Sequence, residues 1–144
     1  MRVDFYQLSR DPAETALALL AAKTLEAGER LLVVSDDEAQ LARIGEALWG
    51  RKDSFLAHGL AGNEHDARQP ILLSREVSAA NGARFVALAD AHWREVGDGF
   101  ARVLYLFDDG TLKAARDCWR ALKDREGLTR HFWRQEGGGW IQAG

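Results

Sequence analysis

Four cations, Lys113, Arg116, Arg120 and Lys123, recur at i, i+3, i+7 and i+10. That is the spacing of one helical face, and no acid falls within the row itself. Ammonium and guanidinium groups in such a row can hold carboxylates through charge-assisted, partly bidentate hydrogen bonds. One residue earlier, Leu112, Ala115, Trp119 and Leu122 repeat the same spacing and read as the buried stripe of the same helix. Trp119 then sits at the boundary, where an apolar pocket beside the cations could take an aromatic anchor. Asp117 and Asp124 flank the row on its outer side, as they would on an ordinary solvated face. The surrounding stretch 113–134 carries seven basic and three acidic residues, a local +4 in a chain whose total is −3. A mildly acidic protein with one basic end points to a localised site for something anionic. It argues against nucleic acid coated over the whole surface.

Other residues that could do chemistry assemble less well. Asp36, Asp37 and Glu38 follow an apolar run and could serve a ribose or a metal. Ser35 with Glu38 fits a capping box, however, and acids in a first helical turn complement the helix dipole. His58 and His65 fall in an irregular region, His92 near a helix start and His131 in a strand, without the spacing of a zinc site. Cys118 reads as an inert helical thiol rather than a nucleophile, and being the sole cysteine it excludes an internal disulfide. No glycine occupies the first strand-to-helix turn (Ser9, Arg10, Asp11, Pro12), so the dinucleotide fingerprint is absent. The phosphate-cradling Gly-Lys-Ser/Thr loop and a serine nucleophile elbow are absent too. The residues themselves give no support for an enzyme, a metal or a cofactor. A small nucleotide-binding enzyme using Asp36 and Asp37, or a single-stranded nucleic-acid binder using the basic helix and Trp119, are the alternatives.

The elements that must carry these residues alternate in type. Residues 3–8 read as an opening strand and 14–26 as an Ala- and Leu-rich helix stopped at Gly28. Leu31, Leu32, Val33 and Val34 form a continuous apolar run typical of a buried parallel strand. A helix over 36–49 follows, with Leu41, Ile44, Ala47 and Leu48 on one side and Gly50 at its end. Residues 71–74, 84–88 and 102–107 are the next strands. After the turn at Asp108, Asp109 and Gly110, a helix runs from 111 to about 125. Strands at 129–135 and 140–142 close as a hairpin over Gly137, Gly138 and Gly139. This order predicts an α/β fold with a mostly parallel sheet flanked by helices, as one domain over 1–144. At 144 residues, with 47% apolar and 28% charged, the chain has a soluble globular balance. Charges interrupt every apolar stretch before membrane-span length, and the first ten residues lack the apolar core of a secretory signal. The expected location is the cytoplasm.

A second surface carries large apolar residues on a loop. The segment 49–62 places Trp49, Phe55 and Leu56 in or next to irregular chain, where such residues often anchor a partner. They could equally fold back over the core.

Here the sequence resembles a known family. Glu46-Ala47-Leu48-Trp49, then Ser54-Phe55-Leu56, then His58-Gly59-Leu60-Ala61-Gly62, then Pro70-Ile71 are similar to the chi subunit of bacterial DNA polymerase III. The opening Phe5-Tyr6 with Leu8, and the closing Phe132-Trp133 with Gly138, Gly139 and Trp140, extend the likeness over nearly the whole chain. Ala57 departs from the pattern, in which proline often precedes the histidine. The resemblance implies a Rossmann-like fold without a nucleotide site and a non-catalytic accessory role in the clamp-loader assembly. It implies two partners, the psi subunit and the acidic C-terminal tail of single-stranded-DNA-binding protein, which ends in proline and phenylalanine. By similarity Trp49 and Phe55 match the psi-facing surface. Arg116 matches a basic position of the tail site, with Lys113, Trp119, Arg120 and Lys123 its helical neighbours. DNA would be reached only indirectly, and the psi surface serves a repair helicase in some relatives.

Overall fold

The computed structural model describes residues 1–51, 55–136 and 139–144. Eight strands form one sheet: β1 (Arg2–Gln7), β2 (Leu31–Val34), β3 (His58–Leu60), β4 (Ile71–Ser74), β5 (Phe85–Leu88), β6 (Arg102–Phe107), β7 (Thr129–Glu136) and β8 (Gly139–Gln142). Among the described residues three α-helices accompany them: α1 (Ala13–Glu26), α2 (Glu38–Trp49) and α3 (Leu112–Ala121). The strand order is β3-β4-β2-β5-β6-β1-β7-β8. All neighbours are parallel except β8, which runs antiparallel to β7. The α/β architecture read from the alternation of elements is the observed one. The hairpin is observed as well, with Glu136 opposite Gly139, while its tip at Gly137 and Gly138 lies outside the described residues.

Strands β2, β4 and β6 are nearly continuous apolar runs because helices or packed loops cover both of their faces. Alternate side chains feed two cores. Leu31, Val33, Ile71, Leu73, Leu104 and Leu106 pack under α1 and α2, through Leu17, Leu20, Ala21, Leu41, Ile44 and Leu48. Val3, Phe5, Leu32, Val34, Tyr105 and Phe107 pack on the opposite face, under Ala115 and Leu122. That second core is aromatic, with the Phe5 ring between Tyr105 at 5.1 Å and Trp119 at 5.2 Å. The connection 89–101 covers the same face with Val96 and Phe100 rather than with a helix, so His92 stands in a loop and not near a helix start.

The helix ends follow local chemistry. Gly28, at φ +80°, closes α1: its N–H reaches the Leu25 carbonyl and that of Glu29 reaches Thr24, satisfying the last turn. The predicted Ser35–Glu38 capping box does not form. Asp37 caps α2 by accepting from the Ala39 amide at 2.9 Å, and Glu38 turns outward to Arg75. Ser35 is fully buried and bonds the Gln40 side chain, which donates to the Ala89 carbonyl and ties the ends of β2 and β5 together. Asp108 and Thr111 instead form a reciprocal cap ahead of α3. Helix α3 is shorter than expected. It stops at Ala121, and i to i+3 bonds such as Lys123 N–H to the Arg120 carbonyl carry the chain onward to Gly127, at φ +75°. His58, expected in irregular chain, begins the edge strand β3.

Candidate functional site

Helix α3 holds a cation row, though a narrower one than the spacing implied. Lys113, Arg116, Arg120 and Lys123 are all exposed. Asp117 reaches into the row, 3.2 Å from Lys113 and 3.7 Å from Arg120, so two of the four charges already have an acidic neighbour. Lys123 stands on the turn beyond the helix. Arg116 makes no ion pair among the described residues. Surface pairs at this spacing are weak and exchange readily for another carboxylate. The buried stripe is observed: Ala115 and Leu122 are buried, and Leu112 and Trp119 are partly covered.

The two flanks of the row differ. On one, the Arg130 guanidinium lies 4.0 Å above the Trp119 ring and donates to the Trp119 carbonyl, while Phe132 meets the ring edge-on at 5.6 Å. Gly144 closes over the same ring, leaving little room for a guest there. On the other flank, a hollow of about 790 Å3 lies beside Arg120. Its apolar wall is Trp93, Cys118, Ala121 and Leu122, and its polar rim holds Glu95, Asp117, Asp124 and Arg125. Glu95 is bound by both terminal nitrogens of Arg125, at 3.0 and 2.8 Å, which holds its carboxyl below the usual range. Burial pushes the Cys118 thiol up to about 11, so it stays protonated at neutral pH, as expected of an inert cysteine. The structure therefore joins Arg120 to an apolar hollow and leaves Trp119 facing the core and the chain's last residues.

A second exposed surface sits at the end of α2. Trp49 is 67% exposed and Phe55 is 78% exposed, with ring centroids 6.0 Å apart. His58 braces the Trp49 ring at 5.3 Å, and its Nδ1 lies 2.9 Å from the Leu56 carbonyl. Leu56 folds inward and is buried, whereas Leu60 on the edge strand is exposed. Of the three loop residues, Leu56 folds back over the core, while Trp49 and Phe55 stay exposed. The intervening residues 52–54, including Ser54 of the family-like run, lie outside the described part.

The positions that could have served a nucleotide are otherwise engaged. At the β1–α1 turn, Gln135 Oε1 accepts from the amides of Ser9, Arg10 and Asp11 at 3.2–3.3 Å, and its Nε2 donates to Asp11. A side chain from β7 thereby occupies the amide cradle where a phosphate would sit in a dinucleotide-binding fold. At the carboxyl ends of β2 and β5, Asp36, Asp90 and His92 converge closely enough to share an ion. Arg94 already pairs with both acids, at 3.1 Å from Asp36 and 2.7 Å from Asp90. Burial, the largest single influence, raises the Asp90 carboxyl, but the Arg94 hydrogen bonds and charge together with the Asp36 and His92 amides outweigh it, and the net shift is downward. Asp37 is used as the α2 cap. Sequence reasoning missed the Gln135 contact, which spans more than 120 residues and leaves no local signal.

Comparison with known proteins gives one concordant result. The family model described as "DNA polymerase III chi subunit, HolC" matches residues 1–129. The chain is 25% identical over 130 residues to the DNA polymerase III subunit chi of Escherichia coli (strain K12), covering 83% of this chain and 88% of that protein. No helix among the described residues is long and apolar enough to cross a membrane.

Proposed function

The chain belongs to the DNA polymerase III chi-subunit family, and on that premise we propose that it is a non-catalytic, cytoplasmic adaptor linking two other proteins of the replication machinery. One partner is the psi subunit, received by Trp49 and Phe55. The other is the acidic C-terminal tail of single-stranded-DNA-binding protein, received by the α3 surface of Lys113, Arg116, Trp119, Arg120 and Lys123. At these two surfaces DNA is approached only indirectly, through that tail, and the psi surface also suits a repair helicase. The chain acts as one domain and needs no cofactor.

One observation carries this reading: two chemically different exposed surfaces lie on opposite faces of one sheet. Helix α2, which ends at Trp49, packs on one core, and α3 packs on the other. Exposed tryptophan and phenylalanine side by side are the kind of anchor that dominates protein interfaces once desolvated. Exposed lysines and arginines suit several carboxylates at once, and the hollow beside Arg120 can take a terminal aromatic ring. Trp119 contributes as the partly covered floor that fixes α3, since its ring is packed against Phe5 and Phe132. Lys113 and Arg120 exchange Asp117 for carboxylates of the tail. Capture of a chain end needs no large interface, because the end itself is what is recognised.

The test is a pull-down with full-length single-stranded-DNA-binding protein and with a form lacking its last residues. Retention of the first and loss of the second is expected, and equal retention of both contradicts the reading. Phe55→Ala should impair psi capture and leave tail capture unchanged. Equal loss of both would instead mark a folding defect.

A further inference from the structure

A third feature lies on the α1 face of the sheet, apart from the two surfaces above. A hollow of about 630 Å3 opens between the C-terminal half of α1 and strands β6, β1, β7 and β8. That size is within the range of small-molecule sites. It lies near the amino ends of β1 and β6, because Arg2 and Arg102 open those strands and both line it. It is therefore distinct from the β1–α1 turn that Gln135 fills, at the carboxyl end of β1.

Its walls are flat and aromatic. Tyr6 lies stacked with Trp133 at 6.5 Å and edge-on to Trp140 at 5.0 Å, while Leu19, Leu20 and Leu104 supply aliphatic floor. Its cations are preorganised. Asp4 is fully buried beneath it and accepts from Arg2 Nε and Nη2, from Arg102 Nε at 2.7 Å and from the Trp133 indole N–H at 2.8 Å. Arg102 Nη2 donates to the Tyr6 hydroxyl, and its guanidinium lies over the Phe85 ring at 5.6 Å. One carboxylate thus fixes two guanidinium groups, and the Nη1 of each has no partner among the described residues. Lys23, exposed on the last turn of α1, lines the same hollow and makes no ion pair among the described residues.

Charge selects the guest. Two arginines and one lysine against Asp4 leave a surplus of two positive charges. A carboxylate or a phosphodiester brings one negative charge, whereas a phosphate monoester brings about −1.5 to −2 at neutral pH, with three strong acceptor oxygens. Planar rings beside the cations favour a stackable base on the same molecule. We infer that this hollow binds a nucleotide with a terminal phosphate, the phosphate meeting Arg2, Arg102 and Lys23 and the base lying against Trp133 and Trp140. A free mononucleotide and the 5′-phosphorylated end of a DNA strand share that chemistry.

The experiment titrates the full chain with deoxyadenosine monophosphate, deoxyadenosine and inorganic phosphate, following tryptophan fluorescence and heat. Two oligonucleotides differing only in a 5′-phosphate separate the sources. The monophosphate should bind about tenfold or more tighter than either fragment, as loss of a charge-assisted contact or a stacked ring implies. A strand-end ligand shows as binding by the phosphorylated oligonucleotide and not by its 5′-hydroxyl twin; a free nucleotide shows as binding by the monophosphate and by neither oligonucleotide. Lys23→Glu alters an exposed side chain that supports no core contact, and it should weaken the monophosphate about tenfold; Trp140→Ala should also weaken it. Monophosphate binding no tighter than the fragments, or untouched by Lys23→Glu, overturns the site.

Discussion

The α3 surface and the Trp49–Phe55 surface spend exposure in opposite ways. On α3, the exposed row is cationic, and the one acid that pairs within it, Asp117, can be replaced by a competing carboxylate. At the end of α2, the exposed side chains are aromatic and hold one another and His58 at contact distance. The first surface should act at range and fade with salt. The second should act only on contact and hardly notice salt. A sheet with a separate core on each face lies between them, so either surface can be altered without the other.

The largest effect should come from a change that both surfaces feel. Asp4→Ala removes the buried carboxylate shared by Arg2, Arg102 and Trp133, and it should lower unfolding free energy by about 3 kcal/mol. The low end of the range applies because both arginines reach solvent. Chemical denaturation measures it, and weakening of both partners together is the corollary. Next, Trp49→Ala should weaken psi binding by about 2 kcal/mol or more in calorimetry, with little salt dependence and with tail binding intact. Arg116→Ala should weaken tail-peptide binding roughly fivefold to tenfold while the thermal midpoint is unchanged, and the remaining affinity should fall further as salt rises. The smallest change has the opposite sign. Asp117→Asn frees Lys113 and Arg120 and should tighten the tail roughly twofold. Weaker tail binding in that variant would mean the pairs serve to position the cations.

The sheet was legible because its buried strands are continuous apolar runs, and Leu31–Val34 and Arg102–Phe107 fall where those runs do. Helix α3 was legible in face but not in length. Leu122, Lys123 and Arg125 are good helix formers and no glycine comes until Gly127, so local propensity did not show the loosening after Ala121. Its cap was missed because Thr111 stands where glutamate or glutamine usually signals a capping box. Strand β3 was missed because His-Gly-Leu has little strand propensity and pairs on one side only. The Asp117 pairs were readable at i, i+3 and i+4, yet the acid counted only as a flank. The arrangements around Asp4 and Gln135 were not readable, since each joins residues about a hundred or more positions apart.

The claim that matters most is independence of the two proposed surfaces. Calorimetric titration of a peptide copying the tail of single-stranded-DNA-binding protein, into the chain alone and into the chain saturated with psi, tests it directly. The same affinity is expected in both titrations, within about twofold, since coupling between independent sites is near zero. Loss of tail binding when psi is present would contradict it, because the two partners would then be competing for one surface.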